Sequence, residues 1–201
     1  MSPESTTTEP RPLRSDAARN RARVIEAALE VFGEQGLDAP IPEVAARAGV
    51  GKATIYRSYP TREHLVGAIV VHQLDLHEAQ TREALEAPDA WEAFCGLLYA
   101  SAEKKADRTF AACLAATIDL PEVVEARRCS SEAMDELMTR AQAQGRMRAG
   151  ITSADLRVLY SGAGRILDEA GTADPVQWRR YIGLLIDAFR AEGEPAQPLV
   201  G

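Results

Sequence analysis

The stretch that most constrains the fold is residues 41–60, IPEVAARAGVGKATIYRSYP. Counted from Ile41, a small residue stands fifth (Ala45), a glycine ninth (Gly49) and an aliphatic fifteenth (Ile55). Two short helices that cross at close range need this spacing. The second helix passes directly over the fifth position, so little more than a methyl group fits there. The ninth must turn the chain with positive φ, which glycine does without steric cost. Val44, Ala48 and Val50 join Ile55 in a small shared core. Lys52, Ala53, Thr54, Tyr56, Arg57 and Tyr59 are left facing outward on the second helix, a set of cations and hydroxyls suited to phosphates and base edges in a major groove.

Charge supports that reading. The chain has 201 residues and a formal net charge of -7, yet residues 45–62 contain no acid. Arg47, Lys52, Arg57 and Arg62 fall within this run. Residues 1–66 hold nine Lys/Arg and nine Asp/Glu, whereas 67–201 hold fourteen and twenty-one. The first third is thus relatively basic, and its positive charge sits in two clusters at 11–23 and 47–62. Two readings stay open on charge alone, a solvated helix face or a nucleic-acid contact.

The rest of the chain reads as helix. Apolar residues make up 46% and aromatics only 5%, a balance suited to helices packed through small and aliphatic side chains. Helical periodicity and Pro/Gly punctuation predict helices at 17–35, 42–48, 52–58, 63–86, 89–106, 108–116, 121–144, 153–170 and 175–192. Thr61 is placed to cap the fourth. The Ser/Thr/Pro-rich residues 1–14 read as a disordered arm. Cys95, Cys113 and Cys129 are odd in number and far apart, which fits a reducing cytoplasm and gives no zinc or dithiol pattern. No apolar stretch approaches the roughly 18 residues of a membrane span, so no membrane partner is expected.

Catalytic signatures are missing. There is no G-x-S-x-G, P-loop or H-E-x-x-H, and His64, His72 and His77 are spaced so that they do not share one helical face. Gly162 and Gly164 do not make a dinucleotide fingerprint, because Leu167 stands at the third glycine and no strand precedes. No enzyme, cofactor or metal site is expected.

The run RVIEAALEVFGEQGLDAPIPEVAARAGVGKATIYRSYPTREHLVGAI, residues 23–69, resembles the DNA-binding domain of the TetR family of bacterial transcriptional regulators. Its segment AGVGKATIYRSYPTREHL is similar to that family's signature. The resemblance implies an all-α chain. A three-helix helix-turn-helix DNA-binding domain would occupy residues 15–62, and a larger helical-bundle regulatory domain residues 63–201. It implies a double-stranded DNA operator, a homodimer and a small-molecule effector as partners. Lys52, Ala53, Thr54 and Tyr56 would approach bases and phosphates, and Thr61 and Arg62 would hold a phosphate at the start of the fourth helix. Two departures stand out. Pro40 replaces a Thr that often caps the second helix and touches phosphate, and Ser58-Tyr59 replaces a common His-Phe pair.

The last two predicted helices offer a dimer interface, with close-packing Gly162 and Ala163 beside Ile166, and with Trp178, Tyr181, Ile182, Leu185 and Phe189. Packing within the monomer is the alternative. In the family an effector pocket lies in the body, which points to Trp91, Phe94, Leu98, Phe110, Cys113, Met134 and Met138. Ordinary helical core is the alternative for each. AGITSADLRVLYSGAGRIL, residues 149–167, is similar to a body subgroup common among actinobacterial members. The function implied is a repressor released from a palindromic operator by its ligand. A metal- or redox-responsive regulator of the same fold, and a protein-interaction module with an incidental basic head, are the alternatives.

Overall fold

A computed structural model describes residues 12–104, 113, 116–117, 119–169 and 175–191. Among them the regular elements are eight helices, as expected of an all-α chain, with one isolated antiparallel bridge between Met147 and Arg190. The chain divides into two compact units between Leu65 and Val66.

The first unit contains α1 (Pro12–Gln35), α2 (Ile41–Arg47), α3 (Lys52–Ser58) and the first turn of α4 (Arg62–Ala84). On α1, Val24, Ile25, Ala28, Val31 and Phe32 recur at helical spacing and all are buried. This helix starts at Pro12, so residues 12–14, assigned by sequence to the arm, are helical, while 1–11 lie outside the described residues. α2 packs on α1, and α3 packs on α2.

The turn between α2 and α3 is a Schellman motif. Ala48 caps α2, Gly49 follows with φ 65°, and the amides of Gly49 and Val50 donate to the carbonyls of Ala46 and Ala45 at 3.1 and 2.9 Å. Ala45 is 1% exposed beneath the crossing. α3 ends at Tyr59, because Pro60 disfavours helical geometry in the residue before it.

The second unit holds the rest of α4 together with α5 (Ala90–Lys104), α6 (Pro121–Ala143), α7 (Ser153–Glu169) and α8 (Pro175–Phe189). α5 packs against α6 and α8, and α7 bridges α6 and α8. Their shared core includes Trp91, Phe94, Leu98, Leu137, Met138, Trp178, Ile182 and Phe189. Asp89 accepts the amides of Trp91 and Glu92 at 3.0 Å each and so caps α5. Thr152 and Asp155 cap α7 reciprocally, with Thr152 N to Asp155 Oδ2 at 2.9 Å and Asp155 N to Thr152 Oγ1 at 3.3 Å. Of the predicted helix at 108–116, Cys113 and Ala116 are helical and the others lie outside the described residues.

Candidate nucleic-acid interface

α3 turns one residue type inward and another outward. Ile55 is 1% exposed and anchors the helix, whereas Lys52, Ala53, Tyr56, Arg57 and Ser58 are exposed and Thr54 is half-buried. Tyr56 keeps 43% of its surface, a large ring offered to solvent. Among the described residues neither Lys52 nor Arg57 forms an ion pair, so both charges remain available to an anion.

Tyr59 corrects the sequence expectation. It is 8% exposed and caps the C-terminus of α3, with its amide donating to the Ile55 carbonyl at 2.7 Å. Positions 55 and 59 are one helical turn apart and share the inner face. Burial raises the Tyr59 hydroxyl above its ordinary pKa. The ring belongs to the head's core and is not part of the outward face.

The four cations of the acid-free run separate into distinct roles. Arg47 is tied bidentately to Glu34 at 2.8 and 3.1 Å and to Glu30 at 3.0 Å, which hands its charge to α1. The hydrogen bond to Arg47 holds the Glu34 carboxyl below its usual range. Arg62 donates to the Leu37 carbonyl and reaches Asp38 Oδ1 at 3.4 Å, so it secures the turn between α1 and α2. Only Lys52 and Arg57 of the four stand unpaired among the described residues. Thr61 sits before α4, where its Oγ1 accepts the His64 amide at 3.4 Å and lies 2.7 Å from His64 Nδ1. That is the capping geometry predicted for it. Pro40 precedes α2 and supplies no side-chain cap.

Sequence reasoning missed Arg23. Its Nη2 donates to the Ala48 carbonyl at 2.8 Å and reaches that of Gly49 at 3.5 Å, joining α1 to the turn ahead of α3. The signal was available in principle. A Schellman turn leaves carbonyls facing outward, and a cation on the neighbouring helix is their natural partner.

In the body, the residues assigned to a dimer interface are mostly interior. Ala163, Trp178, Ile182, Leu185 and Phe189 are at most 5% exposed and pack in the monomer's own core. Gly162 and Tyr181 are half-buried, and the Ile166 side chain lies outside the described residues. The exposed apolar residues of the same helices are Val158, Leu159, Val176 and Leu184, between 42% and 76% exposed. The small and aromatic residues mark close packing, and that packing is internal. Each of these helices is apolar on two faces, and only the outer one is available to a second copy.

Trp91, Phe94, Leu98, Met134 and Met138, assigned to a pocket, come together as one packed core, with the Trp91 and Phe94 rings 5.9 Å apart. Cys113 is buried outside that cluster, and Phe110 lies outside the described residues. None of the three cysteines is held in a disulfide among the described residues. Burial pushes the Cys95 thiol up to about 11 and raises that of Cys129, which favours inert thiols over reactive thiolates. Among the described residues no three His, Cys, Asp or Glu side chains are grouped to hold a metal ion, and no helix is long and apolar enough to cross a membrane.

The arrangement has close parallels among known proteins. Residues 24–69 match the family model described as bacterial regulatory proteins, tetR family, and residues 86–191 match the C-terminal domain of SbtR-like transcriptional regulators. The HTH-type transcriptional repressor LfrR of Mycolicibacterium smegmatis is 36% identical over 66 residues, 33% of this chain and 34% of that protein. The HTH-type transcriptional regulator SrpR of Pseudomonas putida is 31% identical over 80 residues, 39% of this chain and 38% of that one. These matches thus span little more than a third of either relative's length. Solved structures extend the likeness over most of the chain. A TetR transcriptional regulator from Streptomyces coelicolor aligns with TM-score 0.66 and 27% identity over 86% of this chain and 99% of its own. A TetR regulatory protein from Mycobacterium vanbaalenii aligns with TM-score 0.65 and 29% identity over 89% and 99%. With the head matched by one model and more than half of the chain by the second, this chain belongs to the TetR family of bacterial transcriptional regulators.

Proposed function

We propose that the chain is a sequence-specific DNA-binding transcriptional regulator, a cytoplasmic repressor that holds a palindromic operator as a homodimer and leaves it when a small molecule binds the body. Its role is binding and not catalysis. The observation that carries this reading is the outward face of α3, where Lys52, Ala53, Thr54, Tyr56 and Arg57 face outward, with Lys52 and Arg57 in no ion pair among the described residues, while Ile55 and Tyr59 lock the helix from behind. Lys52 and Arg57 supply charge for phosphates, and Thr54 and Tyr56 supply hydroxyls and an aromatic face for base edges. Thr61, exposed at the start of α4, is a further phosphate contact, and Arg62 contributes from its anchored position beside it.

One recognition helix reads too few base pairs for specificity, so two are needed about 34 Å apart, in successive major grooves. The exposed apolar residues Val158, Leu159, Val176 and Leu184 supply the dimer face, replacing the interior residues suggested by sequence. α4 runs without a break from the first unit into the second, so an effector that displaces it in the body moves its first turn as well. A coupling of about 1–3 kcal/mol weakens operator binding by roughly 5- to 150-fold. The family's effector site lies in the body, and the cluster around Trp91, Phe94, Leu98, Met134 and Met138 marks the region that would open to admit a ligand. Selection of bound duplexes from a random pool tests the reading. It is supported if a palindrome is enriched and abandoned if no sequence is.

A further inference from the structure

On α6, Val124, Arg127, Arg128 and Ser131 recur at helical spacing on one face, and together with Arg157 of α7 they line an open cleft of about 320 Å³. Three guanidiniums in one cleft of an acidic protein require an explanation. Arg128 has one: Glu125 and Glu132 hold it at 2.6 and 2.5 Å, and its charge is neutralised. Arg127 and Arg157 do not. Arg127 Nη2 is fully buried and no acceptor among the described residues reaches it, while Arg157 makes one long contact to Ser131 Oγ at 3.4 Å.

A buried guanidinium N–H without an acceptor is destabilising, because its desolvation is left uncompensated. Burial, reinforced by the nearby charge of Arg157, lowers the Arg127 pKa from its ordinary value, and Asp119 offsets this only in part. Two like charges held at one cleft, one of them with an unused donor, favour an anion there.

We propose that this cleft is a binding site for a small organic anion, whose carboxylate or phosphate group is gripped by Arg127 and Arg157 with help from the Ser131 hydroxyl. The exposed Val124 gives the rim an apolar edge for the carbon body of the ligand. The volume lies at the lower end of small-molecule sites, which suits a compact ligand. The site goes beyond the regulator reading and does not depend on it, since binding is read without DNA.

Titration calorimetry on the full chain tests this, with sodium benzoate and inorganic phosphate as probes and sodium chloride at matched ionic strength as control. The expected result is saturable binding of at least one probe, one per chain, and none with chloride. Benzoate alone identifies a carboxylate site and phosphate alone a phosphate site. Arg127→Gln and Arg157→Gln each weaken binding by about tenfold or more, Ser131→Ala by less, and Arg128→Gln least of all. Arg157 is exposed, so its variant folds even if the Arg127 variant does not. Two results overturn the proposal. One is that neither probe binds. The other is that binding is unchanged in both arginine variants. If neither probe binds and both variants also lose the dimer, the guanidiniums serve a carboxylate of a second copy of this chain.

Discussion

Arg23 on α1 donates to the carbonyl of Ala48, the C-cap of α2, at 2.8 Å. The bond fixes the turn from which α3 departs, and with it the direction of the recognition face. Because Arg23 is otherwise exposed, its removal is expected to be mild in energy and local in effect. Arg23→Gln should lower the stability of the head by about 1 kcal/mol, read as a lower midpoint in thermal or urea unfolding. Arg23→Lys should recover only part of that, since a flexible ammonium is less well fixed than the planar guanidinium whose Nη2 reaches both carbonyls.

Salt dependence separates Lys52 and Arg57 from Arg47. Lys52 and Arg57 have no acidic partner among the described residues, so replacing either with Ala should reduce the slope of log affinity against log salt by about 1. Arg47 already has Glu30 and Glu34, and Arg47→Ala should leave that slope unchanged. Equal slope changes for all three variants would contradict the division.

The dimer face is predicted to be the outer one. Val158→Glu and Leu184→Glu should yield folded monomers by light scattering at micromolar concentration, because the exposed positions accept a charge in the single chain. Ile182→Ala should instead cost about 2–5 kcal/mol of folding stability, since its side chain is fully buried in the monomer core.

Much of this was legible in the sequence, and the exceptions share a cause. The crossing at Ala45, the turn at Gly49, the anchor at Ile55 and the cap at Thr61 each follow from a local steric or hydrogen-bonding demand, and each stands where the chain spacing places it. Tyr59 faces inward against the sequence expectation because it lies just past the end of a seven-residue helix, where one residue decides which side the ring takes. The dimer residues were misplaced because α7 and α8 are apolar on two faces, and composition does not say which face the monomer uses first. The pairing of Arg23 with Ala48, and of Arg47 with Glu30 and Glu34, spans 13 to 25 positions and depends on how the helices cross.

Alkaline pH offers an independent check on the body. Tyr160 is half-buried and its hydroxyl lies 2.6 Å from Ser101 Oγ, and burial pushes that hydroxyl up to about 12 from an ordinary value near 10. The folded state therefore resists ionisation where the unfolded chain allows it. Stability from this group is intact below pH 10 and is lost as pH rises toward 12. Tyr160→Phe should flatten the decline across that window relative to the unaltered protein, as measured by urea unfolding at stepped pH. An identical decline in both would place the titrating groups elsewhere.

The central claim is that the outward face of α3 reads DNA, and one comparison tests it most directly. A duplex selected from a random pool by the unaltered protein is titrated against that protein and against Tyr56→Ala, with a scrambled duplex alongside. Tyr56 is 43% exposed and supports nothing in the core, so its loss should leave folding and dimerisation intact. The account predicts that the selected duplex loses about 1–3 kcal/mol of binding while the scrambled duplex is hardly affected. Equal affinity of Tyr56→Ala and the unaltered protein for the selected duplex would contradict it.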